Sequence, residues 1–236
     1  MAVHGRNPTG IDTLPSLLES EGYKVVTASS QKNKVKRVVD MVFSTIKNRN
    51  RVDLVLIDTY STQNFYYAVI IATLCRFFKV SYIPILHGGN LPNRLKKNQG
   101  LSKKLFGNAF TNVPPSKYML QQFQDAGFNN VTYIPNTIEI TNYTFQPRNS
   151  VMPKLLWVRS FSEIYNPKLA VEIVEKLKEK GVDVNLCMIG PDRDGSLESC
   201  KKKTEALNLS ISFPGFLRIL RMTVFISTFS TWLACA

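Results

Sequence analysis

The sequence is short of acidic residues, of cysteine and of long apolar runs, and each shortage excludes something. Seventeen Asp and Glu face thirty Lys and Arg, a formal charge of +13. That balance favours an anionic partner: a phosphorylated ligand, an acidic membrane surface or nucleic acid. Basic charge without a stacking platform or nucleic-acid motif argues against the last of these, so no nucleic acid is expected. Cys75, Cys187, Cys200 and Cys235 stand alone, without the paired spacing of zinc or redox sites, which fits a reduced, cytoplasmic compartment. The start, MAVHGRNPTG, has neither a basic cluster with an apolar core nor a cleavage-like site, so a secretory signal is not expected. After Glu205 no acidic residue occurs, and the uncharged stretch Met222 to Ala236 is fifteen residues long. That is short of the roughly 20 needed to span a bilayer. Residues 216–236 therefore read either as a membrane anchor or, preferably, as a tail that does not continue the preceding domain.

What is present is an alternation of β-rich and helical runs. VDLVLID (52–58), VSYIPIL (80–86), VTYIPN (131–136), KLLWVRS (154–160) and VDVNLCMIG (182–190) are apolar on both faces, as strands of a covered parallel sheet are. Helices are expected at about 12–23, 34–48, 62–79, 116–126, 167–180 and 196–207. Ser116 and Asn166 stand where side-chain oxygens can cap helices, Pro167 at a first helical position, and Gly127 and Gly181 where helices end. This order of elements predicts an α/β layered protein. The polar segment TNYTFQPRNSVMP carries two prolines and reads as a linker, with a boundary near 145–153. It divides the chain into a first Rossmann-like domain (1–148), the start of a second (149–215) with two or three strands, and the tail. MAVHG is too short and polar to supply the buried strand expected before the first helix, so the first strand is expected to be lacking.

The segment ILHGGNLP ends an apolar run on His87, Gly88, Gly89 and Asn90. Ligands collect at the C-terminal ends of parallel strands, where a His can bond a substrate hydroxyl or a phosphate. The plainer alternative is a structural His satisfied by a loop carbonyl. HGG also suits an oxyanion hole, but the chain has no Gly-x-Ser-x-Gly nucleophile. Near the N-terminus the loop ending at Gly10 feeds a helix whose free amides can receive a phosphate. RLKK (94–97) and Lys103–Lys104, interleaved with Leu91, Leu95, Leu101, Leu105 and Phe106, make either a basic amphipathic surface for anionic lipid or a phosphorylated acceptor, or a solvated helix face. Asp192 and Asp194 in GPDRDG could hold a divalent metal, although a Pro-Asp, Asp-Gly turn explains them better. Arg159 ends a strand where an always-charged guanidinium suits a diphosphate; its alternative is a salt bridge with Glu163.

In this order and spacing, TGIDTLPSLLESEGYKV, ILHGGNLP, VPPSKYM, IPNTIE, LLWVRSF, NPKLAVEIVEKL and LCMIGPDRDGS resemble the family-four glycosyltransferases of the GT-B fold, from about Gly5 to Gly215. The resemblance implies two Rossmann-like domains, acceptor on the first and nucleotide-sugar on the second. It implies retaining sugar transfer to a hydroxyl of a saccharide or lipid-linked acceptor, in polysaccharide or glycoconjugate biosynthesis, without an obligatory metal or cofactor. Carried over, His87 would lie near the transferring sugar and acceptor, with Gly88, Gly89 and Asn90 on the acceptor side. Arg159 would stabilise the leaving diphosphate, and Gly190, with Gly10, would contact the donor. Many members place a Lys about five residues after the Arg; here Ile164 stands in that position. The family's paired glutamates have no counterpart here. The implied picture is a cytoplasmic, at most peripherally membrane-associated enzyme, cut after the start of its second domain and poorly active alone. The competing class is a non-catalytic acceptor- or membrane-binding half that works with a second polypeptide.

Overall fold

A computed structural model describes residues 10–29, 31, 33–136, 153–215 and 231–232, with side chains at 10–12 and 231–232 left aside. The chain forms two compact units, Met1–Ile138 and Glu139–Ala236. Most of the expected 145–153 boundary and of the tail lies outside the described residues.

The first unit runs α1 (Gly10–Ser20), α2 (Lys34–Asn48), β1 (Leu54–Tyr60), α3 (Asn64–Phe77), β2 (Ser81–His87), α4 (Leu91–Lys97), α5 (Gln99–Phe106) and α6 (Lys117–Asp125). β1 and β2 pair in parallel, from Leu54 opposite Ser81 to Tyr60 opposite His87. Parallel strands need a crossover, and α3 supplies it, burying Phe65, Ala68, Ile71, Ala72 and Cys75 along one helical stripe. Burial in the strands alternates: Ile57 and Thr59 on β1, and Tyr82, Pro84 and Leu86 on β2, face the core. Burial on both faces, expected from the apolar runs, is therefore corrected here. Leu54 and Leu56 are 42% and 41% exposed, and the same half-open face carries Asp58, Tyr60 and His87. On the buried face the Tyr82 hydroxyl donates to the Leu105 carbonyl at 2.7 Å, and burial pushes its phenol up to about 12.

The strand expected at 131–136 is not formed. Asn112 and Val131 make a single parallel bridge and Val113 another to Ile85, with Leu86 N–H donating to the Val113 carbonyl and Thr132 N–H to that of Asn112, both at 2.9 Å. Pro114, Pro115 and Pro135 have no N–H to continue a ladder. The apolar residues among the lysines of α4 and α5 are spent inward: Leu91, Leu95, Leu105 and Phe106 are buried, while Lys96, Lys97, Lys103 and Lys104 are exposed. A helix whose apolar side fills the core has none left to insert into lipid. The four lysines are left on an exposed helix face.

The second unit is β3 (Lys154–Val158), a short 3-10 turn (Glu163–Tyr165), α7 (Pro167–Glu179), β4 (Asn185–Ile189), α8 (Ser196–Ala206), β5 (Ile211–Gly215) and β6 (Thr231–Trp232). Its sheet is parallel in the order β5-β4-β3-β6; three of these strands lie within 149–215, as expected, and β6 comes from the tail. Here burial on both faces holds: Leu155, Trp157, Leu186 and Met188 pack with Ala170, Val171 and Val174 of α7, while Leu156, Cys187 and Ile189 cluster separately. Ser116 caps α6, its Oγ accepting from Met119 N–H at 3.2 Å. Asn166 departs from expectation. Its side chain makes no capping bond; it opens α7 through a left-handed backbone (φ 45°) ahead of Pro167.

Phe106 is fully buried at the centre of an aromatic cluster, its ring 4.9 Å from Phe123 and 5.8 Å from Phe128. Phe106→Ala is expected to cost the first unit about 3–5 kcal/mol, measured as a lowered denaturant midpoint. A loss below about 1 kcal/mol would show that this cluster is not its core.

Candidate functional site

The parallel register brings the last residue of β1 beside the last residue of β2, and the two side chains meet. Tyr60 stacks on the imidazole of His87 with centroids 4.7 Å apart and planes 17° from parallel. Two residues back on the same face, Asp58 Oδ1 lies 2.9 Å from His87 Nε2. The His87 and Asp58 side chains are 20% and 21% exposed. His87 is therefore held by a carboxylate, neither by a loop carbonyl nor free. Burial and the Asp58 charge push the Tyr60 phenol up, so its hydroxyl stays protonated at neutral pH.

Beyond His87 the backbone turns at Gly88 with φ +79°, a left-handed conformation that glycine adopts without strain. A Cβ at Gly88 or Gly89 would meet nothing within 4 Å, so conformation rather than crowding favours glycine at position 88. Asn90 is exposed at the start of α4, its Oδ1 accepting from Asn93 Nδ2 at 2.6 Å. Arg94 pins this loop to the end of β1. Its Nε donates to the Ser61 carbonyl at 2.9 Å, Nη2 donates to the same oxygen, and Nη1 donates to Asn98 Oδ1 at 3.0 Å. The guanidinium also lies 5.3 Å from the Phe65 centroid and 5.4 Å from that of Tyr66. Sequence reading placed Arg94 only in a basic run; the cue it lacked was the carbonyl of Ser61, 33 residues away in sequence.

In the second unit Arg159 is exposed just past β3. Among the described residues no ion pair joins it to Glu163; its guanidinium lies 4.7 Å from the Tyr165 ring centroid. Stacking on an aromatic face leaves the edges of a guanidinium free to donate. Gly190 follows β4, and a Cβ there would fall 1.6 Å from the Arg159 carbonyl oxygen. No side chain fits. The two strand ends keep pairing past their formal limits, Arg159 N–H to the Ile189 carbonyl at 3.1 Å and Phe161 N–H to that of Pro191 at 2.8 Å. Gly190 thus sets how closely the exit of β3 approaches that of β4. Gly10 is the first residue of α1.

The aspartates of GPDRDG are committed to their own turn. Asp192 Oδ1 accepts from Gly195 N–H at 3.0 Å, and Asp194 accepts from Ser196 N–H at 3.2 Å and Glu163 N–H at 2.8 Å. The Ser196 hydroxyl also donates to Asp194, and this bond, ahead of that from Glu163 N–H, holds the Asp194 carboxyl down at about 2. Ile164, where the resemblance would place a Lys, is 81% exposed. Lys168, which the sequence reading did not single out, lines a hollow of about 210 Å³ with Glu163, Asn166 and Ser196.

No protein-family model matches the chain, and no curated protein matches it in sequence. Solved structures do match. Alr3699/HepE from Anabaena, in complex with UDP, aligns with a TM-score of 0.61 at 15% identity, over 88% of this chain and 60% of that one. A glycosyltransferase from Rickettsia africae gives 0.57 at 17%, over 90% and 60%. The lipopolysaccharide outer core galactosyltransferase WaaB, in its apo form, gives 0.56 at 14%, over 84% and 54%. The fold is thus α/β with parallel sheets, the GT-B type of these glycosyltransferases. The chain spans about 60% of the length of the first two.

Two outcomes follow from these contacts. Gly190→Ala is expected to destabilise the second unit by at least ~2 kcal/mol, because backbone must move to admit the methyl group; an unchanged thermal midpoint would contradict the close approach. The Asp194 carboxyl has a folded pKa below its ordinary value of 3.8. Its contribution is therefore present above about pH 4 and is lost as pH falls through about 2. Chemical denaturation of Asp194→Ala and the unsubstituted chain should show a gap that is constant from pH 7 to pH 5 and closes toward pH 2.

Proposed function

We propose that this chain is the acceptor-side part, with the opening of the donor-side part, of a glycosyltransferase that moves a sugar from a nucleotide-diphosphate sugar to an acceptor hydroxyl. The observation that carries the reading is the carboxylate-held His87 at the end of a parallel strand, followed by an open glycine turn. It stands in a chain sharing its fold with Alr3699/HepE, which has been solved with UDP and with UDP-glucose. In this reading His87, Gly88, Gly89 and Asn90 form the acceptor side. Arg159, steadied by Tyr165, donates to the leaving diphosphate, and Gly190 and Gly10 lie along the donor.

The chemistry asked of such a site is positional and electrostatic. Charge builds on the departing diphosphate as the glycosidic bond breaks, and a fixed guanidinium there counts for most where water is excluded. Retention, independence of metal and a cytoplasmic location belong to the same proposal. So does a saccharide or lipid-linked acceptor. Among the described residues no helix is long and apolar enough to cross a membrane. Contact with an anionic membrane, where it occurs, would run through Lys96, Lys97, Lys103 and Lys104, whose apolar neighbours are buried, and so would be purely electrostatic.

A second reading, a non-catalytic acceptor- or membrane-binding half working with another polypeptide, draws on that same lysine face. Flotation with anionic vesicles at low and high salt tests its membrane form; no retention at low salt would remove it.

Because the chain spans about 60% of the length of Alr3699/HepE, little turnover is proposed for it alone. A coupled assay for UDP release with a panel of UDP-sugars should stay below ~0.1 s⁻¹, against the 1–10³ s⁻¹ usual for enzymes; robust turnover would overturn that part. Calorimetry with UDP should show binding that Arg159→Ala weakens about tenfold. Equal affinity in both would remove Arg159 from the donor site.

A further inference from the structure

We infer that Asp58 is a positioning residue for His87, and that by holding the Nε2 edge of the neutral imidazole it turns a bare Nδ1 toward a hydroxyl rather than a phosphate. The inference rests on the glycosyltransferase reading for its ligand but on the geometry of β1 and β2 for its chemistry. An ionised carboxylate only accepts hydrogen bonds. The 2.9 Å contact between Asp58 Oδ1 and His87 Nε2 therefore needs its proton on Nε2. In the neutral ring that leaves Nδ1 as a bare acceptor, the remaining polar atom of the side chain, with no partner among the described residues. A sugar hydroxyl has a proton to give it. A phosphodiester or substituted diphosphate, ionised at neutral pH, has none and would meet lone pair with lone pair.

One further contact fixes the ring in this role, and the charge around it agrees. Tyr60 covers one of its faces at 4.7 Å, so a ligand engages it by an edge rather than by stacking. The phenol of Tyr60 is kept neutral by burial and by Asp58 and so brings no second negative charge. Arg94, the cation that pins the following loop, is already engaged by Ser61 and Asn98. The apolar run that ends at His87 leaves both ligand types open; the carboxylate brought from β1 decides between them.

The test uses the whole chain labelled with ¹⁵N. It has two histidines, His4 and His87, and His87→Gln identifies the ring signals. At pH 8 the expected spectrum has a protonated Nε2, slow to exchange, and an unprotonated Nδ1 for His87. Methyl glycosides of glucose, galactose and N-acetylglucosamine are then titrated, and dimethyl phosphate, which carries no proton at this pH, separately. Movement of the Nδ1 signal with at least one glycoside, and none with phosphate, supports the inference. A proton on Nδ1, a response to phosphate alone, or no response to any glycoside overturns it.

In Asp58→Ala the slow Nε2 proton should be lost and glycoside affinity should fall about tenfold, with UDP affinity unchanged. Asp58→Asn, which keeps the size and one acceptor oxygen, serves if the alanine variant does not fold and should restore most of the affinity. Unchanged glycoside affinity in Asp58→Ala, or loss of the Nε2 proton in Asp58→Asn, would overturn the role of Asp58. UDP binding without any glycoside response would defeat the role of Asp58 while leaving the glycosyltransferase reading standing. The expected ring protonation without UDP binding would do the reverse.

Discussion

Parallel strand pairing is the constraint from which the rest follows. Two parallel strands cannot be joined by a tight turn, so each pair draws a helix across one face, and all strands end on the same side. In the first unit that rule leaves Tyr60 and His87 side by side at the end of the ladder. In the second it leaves the exits of β3 and β4, with Arg159 and Gly190, in backbone contact. The side chains with chemistry gather at strand ends, where the ladder stops and the backbone turns away.

The way the two ladders end differs, and the difference is physical. The first ends in a half-open face, so polar side chains can meet there without the desolvation that a closed core would impose. Asp58 and His87 satisfy one another and keep about a fifth of their surface in solvent. The second ends in a turn so close that the backbone of one strand excludes any side chain from the other. Its two aspartates stabilise that turn by accepting amide protons. Acidic groups are scarce, and several of those described are committed to local tasks: Asp58 to His87, Asp194 to its turn, Glu172 and Glu175 to Lys203. The surplus of lysine remains on the surface, available to anionic partners at long range but screened by salt.

Much of this was legible beforehand. Strands at 52–58, 80–86, 154–160 and 182–190 appear within a few residues of those bounds, because apolar runs closed by turn residues carry their own signal. The caps at Ser116 and Gly127 follow from local preferences. The failures lie where neighbours decide. VTYIPN looks like a strand, yet the segment beside it, Asn112–Val113, is cut short by two prolines. The apolar residues of α4 and α5 look like a membrane face until the core claims them. One-sided burial of β1 could not be read from VDLVLID, since an apolar residue facing solvent is spelled the same as one facing a helix.

The sequence by itself determined the α/β alternation, the position of His87 at a strand end, the need for glycine at its turn and the basic balance of the surface. Each of these depends on residue type and near-neighbour spacing. Only the tertiary structure decided that His87 has a carboxylate partner 29 residues away, that Arg159 rests on Tyr165 rather than pairing with Glu163, and that Gly190 is required by the carbonyl of Arg159. The first and last of these contacts join strands and turns distant in sequence, and the register in which the strands pair is what brings them within a few ångströms.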